Sequence, residues 1–260
     1  MKANVMLHLI LKDWRLQRRT IILTVLAGAA ALTILVIGGQ TPIVIGTVLF
    51  FVSMILCACL LPMQNIVNEI KKQTLPFVMS LPVSSARYAA AKLVSTVGMF
   101  LILWLTLLCV ALYMVLGRHT LPNGVIPMAM ILMGFPLIGF CLITGTALVG
   151  ESEGWATAAM VVVNSSYGLV WYLLASHVPS ITQTWGGPVA VWNPAVFKIL
   201  GVEFAAIMVI LGLTIYLQSR KRSFAEGMET SCKDWSEYSS VSDPENRRIS
   251  PIQSSSYTDR

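Results

Sequence analysis

Charged and hydrogen-bonding side chains are scarce in the apolar body of this 260-residue sequence, and the one long insertion of them between its apolar runs lies between Asn65 and Lys92. Glu69, Lys71 and Lys72 stand there beside Ile66, Ile70 and Phe77, followed by Thr74, Leu75, Pro76, Ser80, Leu81, Pro82, Ser84, Arg87 and Lys92. Charges of both signs beside an apolar stripe suit recognition of a partner rather than bond-making. No G-x-x-x-x-G-K-[ST] sequence occurs, so the chain has no phosphate-cradling loop and no ATPase of its own. H-E-x-x-H is absent too, and His8, His119 and His177 are scattered. An intramembrane protease needs its acid, base or metal ligands at one depth, and Glu151 and Glu153 share their side with no histidine but His8, so the chain is not read as an enzyme. Cys57, Cys59, Cys109 and Cys141 lie in apolar runs and Cys232 in a polar tail; none has disulfide or metal-site placement. Glu203 is the one strongly ionisable residue well inside an apolar run. An acid there either lines a translocation path, pairs with a cation such as Lys198, or snorkels to the nearer interface.

The elements that would hold these residues follow from composition. With 56% hydrophobic and 12% charged residues and a mean hydropathy of +0.74, the chain has more apolar surface than one soluble core needs, so the expected class is an all-α polytopic membrane protein. The net charge of +6 does not point to nucleic acid, because the basic residues flank hydrophobic runs instead of gathering on a soluble face. Within Met1–Arg19, Leu7, Ile10, Leu11 and Trp14 recur at helical spacing while Asn4, His8, Lys12, Arg15 and Arg19 share the opposite face. This spacing predicts an amphipathic interfacial helix over residues 1–19, its cations toward anionic lipid.

Six apolar runs follow, each long enough to cross about 30 Å of hydrocarbon: 20–38, 43–63, 93–116, 124–150, 155–175 and 198–217. Gly39-Gln40-Thr41-Pro42 is read as a tight turn, and Pro127 and Pro136 are expected to kink or break the fourth run. Residues 176–197, apolar but holding Pro179, Trp185, Pro188, Trp192 and Pro194, read either as a re-entrant outer-leaflet lid or as a loop over helix ends. With both termini inside, Lys2, Lys12, Arg15, Arg18, Arg19, Lys71, Lys72, Arg87, Lys92, Arg220, Lys221 and Arg222 are cytoplasmic, against Arg118 and Lys198 outside. The basic bias therefore expects both termini in the cytoplasm of a cell whose inner membrane the chain spans repeatedly. Ser223–Arg260 is Ser-rich with few aliphatic residues and is expected to be a disordered cytoplasmic tail.

The loop itself reads as a rigid knob: Thr74 caps a short turn begun by Pro76, Pro82 ends it, and Ser84 caps the helix that runs through Arg87, Tyr88 and Lys92 into the third span. This layout, an acid, Thr-Leu, then Ser80-Leu81-Pro82-Val83-Ser84 with Arg87 and Lys92, resembles the loop between the second and third spans of permease subunits in type-two ATP-binding-cassette exporters. The resemblance covers residues 1–222 and includes the amphipathic start, the six spans and the piece before the last of them; the tail 223–260 lies outside it. It implies a transmembrane domain at 1–222 whose loop 65–92 bears a coupling helix. Glu69, Lys71, Lys72, Thr74, Leu75, Pro76, Ser80, Leu81, Pro82, Ser84 and Arg87 would contact a cytosolic ATP-binding-cassette subunit. ATP and Mg would be bound by that partner and no cofactor by this chain. A second permease protomer, in a homodimer or heterodimer, would complete the path among membrane lipids. The alternatives from other classes are an ATP-independent secondary transporter or channel, and a non-transporting scaffold or immunity protein.

Overall fold

The computed structural model of the chain describes residues 2–37, 39–68, 85–118, 121–150, 152–178, 183 and 186–241. Among them the structure is helical and without strands. The helices are α1 (Lys2–Val36), α2 (Gln40–Pro62), α3 (Ser85–Arg118), α4 (Ile126–Gly150), α5 (Glu153–His177) and α6 (Pro194–Val241). A π-helical turn, Met63–Val67, continues α2, and a 3₁₀ turn, Asn123–Val125, leads into α4. Each α-helix contains a stretch long and apolar enough to cross a membrane, six in all among the described residues.

The ends of these helices follow local chemistry. Gly39 sits at φ 90° between α1 and α2, a left-handed conformation that an L side chain resists, and its carbonyl accepts from Ile43 N at 3.3 Å. Ser152 caps α5, its hydroxyl accepting from Trp155 N at 3.4 Å. Pro136 lies inside α4, which nevertheless runs unbroken from Ile126 to Gly150. The helix is not broken at either proline: Pro127 falls in the first turn, where its missing N–H is an orphan anyway, and Pro136 is buried within the bundle, where an interior proline is tolerated.

α1 to α4 form the core. Ala31 and Leu32 of α1, Phe50, Met54, Cys57 and Leu61 of α2, Phe100, Leu103 and Leu107 of α3, and Met133, Phe140 and Cys141 of α4 are buried in one cluster. Phe100 and Phe140 stack at 4.1 Å, 8° from parallel, and the Trp104 indole N–H donates to the Met133 carbonyl at 2.8 Å. Gly46 lets α2 lie directly on α1: a Cβ there would stand 2.8 Å from the Ala31 carbonyl oxygen and 2.9 Å from the Leu35 nitrogen. Small residues allow such approach where water supplies no driving force between helices. α5 and α6 flank α4, where Gly139 lies against Val163 and Gly145 against Thr214; most of their remaining surface faces outward.

The described residues of the piece before α6 contain no helix. Gly187 accepts from Gly124 N at 3.0 Å, which ties this piece to the start of α4, and Val196 is buried with Met128, Ile131 and Leu174. Residues 1–218 form one unit and 219–260 a second. Within the second, helix continues to Val241, so the expected disorder does not begin at Ser223. No proline interrupts residues 195–243 and helix formers such as Ala225, Glu226, Met228, Glu229 and Lys233 recur; local propensity supports a helix even where little apolar surface is available to bury.

Candidate functional site

Two crossings, by α1 and α2, would return the segment that follows them to the side on which α1 starts, and at that end lies a buried charged cluster. Lys92, in the third turn of α3, places its Nζ 3.0 Å from both Asp13 Oδ1 and Asp13 Oδ2 and 3.0 Å from Asn65 Oδ1. Ser95 donates to Asp13 Oδ2 at 3.3 Å, and Asn65 Nδ2 donates to Thr96 Oγ1 at 2.6 Å. Asp13 and Lys92 are 0% exposed and Asn65 4%, so water does not share these contacts. Five side chains from α1, the π turn and α3 therefore form one network with each charge compensated inside it. Burying a carboxylate or ammonium alone is prohibitive, and burying the pair is tolerable only with this density of hydrogen bonds.

Each element presents its residue for a local reason. Asp13 begins a face of α1 that continues through Gln17, Thr24, Gly28, Ala31 and Leu35, all buried, while Trp14 and Leu16 point outward. In a bilayer the apolar face belongs outside and polar groups turn into the bundle. Lys92, Ser95 and Thr96 stand at i, i+3 and i+4, one face of α3. Asn65 stands in the π turn, where the Asn68 N–H bonds back to the Met63 carbonyl; such widened turns occur preferentially at functional positions. Ile66, Val67, Leu93, Ala147, Leu148 and Ala156 pack beside the cluster, joining the π turn to α3, α4 and α5. A further bridge between α1 and the π turn, Thr20 Oγ1 donating to Gln64 Oε1 at 2.8 Å, lies in the same region.

The cluster thus grips both roots of the segment 69–84. Asn65 lies in the last turn of the helical entrance and Lys92 two turns inside the exit, each fastened to Asp13 directly or through the other. A displacement of either root that leaves the other and α1 in place must break a buried contact, the Lys92–Asn65 hydrogen bond or the Lys92–Asp13 ion pair.

Of the residues expected from the sequence to form the coupling contact, Glu69, Lys71, Lys72, Thr74, Leu75, Pro76, Ser80, Leu81, Pro82 and Ser84 lie outside the described residues. Arg87 falls in the first turn of α3, with its side chain outside them. Lys92, read as a loop cation, is instead a bundle interior residue. The interfacial helix and first span form one uninterrupted helix, α1. Glu203 is half-buried, its carboxyl against Gly134 of α4, and among the described residues it forms no ion pair with Lys198, which is exposed. Asp13, Ser95 and Thr96 were not singled out by the sequence reading. Their signal was present: a lone acid within the basic run Lys12–Arg19, and a polar trio on one face of an otherwise apolar helix.

No group of three or more His, Cys, Asp or Glu residues capable of holding a metal occurs among the described residues. Residues 8–222 match the family described as ABC-2 family transporter protein. No curated protein and no solved structure matches the chain.

Proposed function

The chain belongs to the ABC-2 transporter family and is a multi-pass transporter permease; from that premise we propose that it is the membrane half of an exporter driven by a separate ATP-binding subunit. The observation that carries this reading is the Asp13–Lys92–Asn65 cluster, which binds both roots of the segment 69–84 to α1. A cytosolic ATPase seated on Glu69–Ser84 and Arg87 meets a rigid lever: its motion reaches α1, α2 and α3 together because their buried charges are shared. ATP biases the two access states only through the difference in its free energy of interaction with them. ATP and Mg stay with the partner. The basic residues set the side: both termini and the loop lie in the cytoplasm of a cell with this membrane as its inner boundary. A second protomer completes the path, and Glu203, an acid inside a span, lies along it.

The test is purification of the permease from its own membranes with whatever ATPase accompanies it, reconstitution, and measurement of ATP hydrolysis. Wild type is expected to bring down an ATPase. Glu69→Ala with Arg87→Ala is expected to lose that partner or its stimulation at least tenfold while the bundle elutes and melts as wild type. An ATPase retained and stimulated equally by the double variant removes the loop from the mechanism; recovery of the chain alone after crosslinking removes the ATP-driven reading.

A further inference from the structure

A cavity of about 460 Å³ lies among α1 to α5, far from the charged cluster. Its depth follows from its walls. Leu32 and Leu35 come from the end of α1, Ile43 to Phe51 from the first half of α2, Leu108 to Val115 from the second half of α3 and Ile126 to Met133 from the start of α4, with Val52 and Ile55 just past the middle of α2. The wall therefore lies mainly in the half of the span away from the start of α1. Phe50, Phe51 and Tyr167 lie at the midplane end, with Phe51 and Tyr167 rings 6.0 Å apart and Phe135 5.1 Å from Tyr167.

The chemistry of the wall selects the occupant. Among the described residues it contains no charged side chain. The two hydroxyls among them are engaged with backbone carbonyls, Thr47 with Ile43 at 2.8 Å and Tyr167 with Leu132 at 3.5 Å. A pocket for a polar small molecule of this size fixes its ligand with a few placed polar groups; here those hydroxyls face their own chain. Water gains nothing from such a wall, and an empty space forfeits dispersion contacts all around it. The wall runs from buried Phe50 and Met133 out to exposed Val48, Val52 and Trp171, so the cavity opens sideways, at a depth where the surroundings are hydrocarbon. We propose that this cavity holds one acyl chain of a bilayer phospholipid, drawn laterally from the leaflet opposite the termini, with the headgroup remaining at the interface. The chain fills the space between α2 and α5, where no other side chain does, and stabilises the bundle as a resident ligand. The inference needs only that the chain spans a membrane, and stands apart from the coupling to ATP.

The probe is a phosphatidylethanolamine with a diazirine near the end of one acyl chain, in vesicles holding the purified full-length protein, with adducts mapped by peptide mass spectrometry. Phe50 and Met133 are 5% and 2% exposed, so outside lipid cannot reach them and adducts there report a chain within the cavity. The expected result is labelling of Phe50 and Met133 by the chain-end probe, at least fivefold above a probe with its diazirine near the glycerol. Ala111→Phe and Ala129→Phe, which fill the cavity from separate helices, are expected to lower that labelling at least fivefold while exposed Leu26 and Val162 label as before. Labelling confined to exposed residues, equal labelling of the wall by both probes, or undiminished wall labelling in a folded filled variant overturns the proposal. So does a wall that a soluble photoreactive hydrocarbon labels and the phospholipid does not, which would assign the space to cargo. The comparison of two probes on wild type decides the matter even where neither variant folds.

Discussion

Asp13 and Lys92 are each tolerable in the bundle only because of the other. Removing one leaves the other buried without that counter-charge, so Asp13→Ala or Lys92→Ala is expected to destabilise the protein by about 3–5 kcal/mol, read as a fall in the midpoint of thermal unfolding in detergent. The double variant Asp13→Leu with Lys92→Met removes both charges and restores apolar volume, and is expected to recover most of that loss. A double variant no more stable than the singles would show that the network's hydrogen bonds, not its charges, hold the three helices. The same pair explains what the sequence concealed. Lys92 lies beside a loop rich in cations, and basic residues at span ends ordinarily mark the cytoplasmic flank; nothing in its own neighbourhood says that it turns inward. Its acid stands far away in the chain, within a run of bases and beside Trp14, which the helical spacing assigned to the apolar face. Glu203 was legible because it is an acid surrounded by aliphatic residues, yet its seat against Gly134 depends on which helix neighbours α6.

At the scale of elements, close approach between helices separates two kinds of glycine. On Gly46 an added methyl meets the backbone of α1, at Ala31 and Leu35, which cannot yield without moving the helix. On Gly134 it meets only the movable end of Glu203. Gly46→Ala is therefore expected to cost about 1–3 kcal/mol by forcing α1 and α2 apart, and Gly134→Ala much less, in the same unfolding assay; the reverse order would contradict the described contact between α1 and α2. The six spans were readable from run length, since one apolar run of about twenty residues satisfies its own backbone in hydrocarbon only as a helix. Boundaries were less so: α1 absorbs the amphipathic start because no helix breaker separates Arg19 from the first apolar run, and α4 absorbs Pro136. The π turn left no mark in composition or periodicity. It is set by contacts that Asn65 makes with Lys92 and Thr96, residues on another helix.

For the whole molecule, six crossings return the chain to the side on which it began. In a background without native cysteines, Gln183→Cys is expected to react with a membrane-impermeant maleimide in intact cells, and Lys72→Cys only after permeabilisation. Reaction of both from outside would invert or break the topology. The charged cluster also constrains how the protein comes to exist. The lysine that opens the third span finds its carboxylate 79 residues upstream, in a helix that has left the ribosome roughly 4 to 16 s earlier at about 5–20 residues per second. Until then the charged network cannot close, and α1 rests on its packing against α2 at Gly46, Ala31 and Leu35. The network is completed only when the third span is made, and the order of synthesis becomes part of the information that makes this bundle.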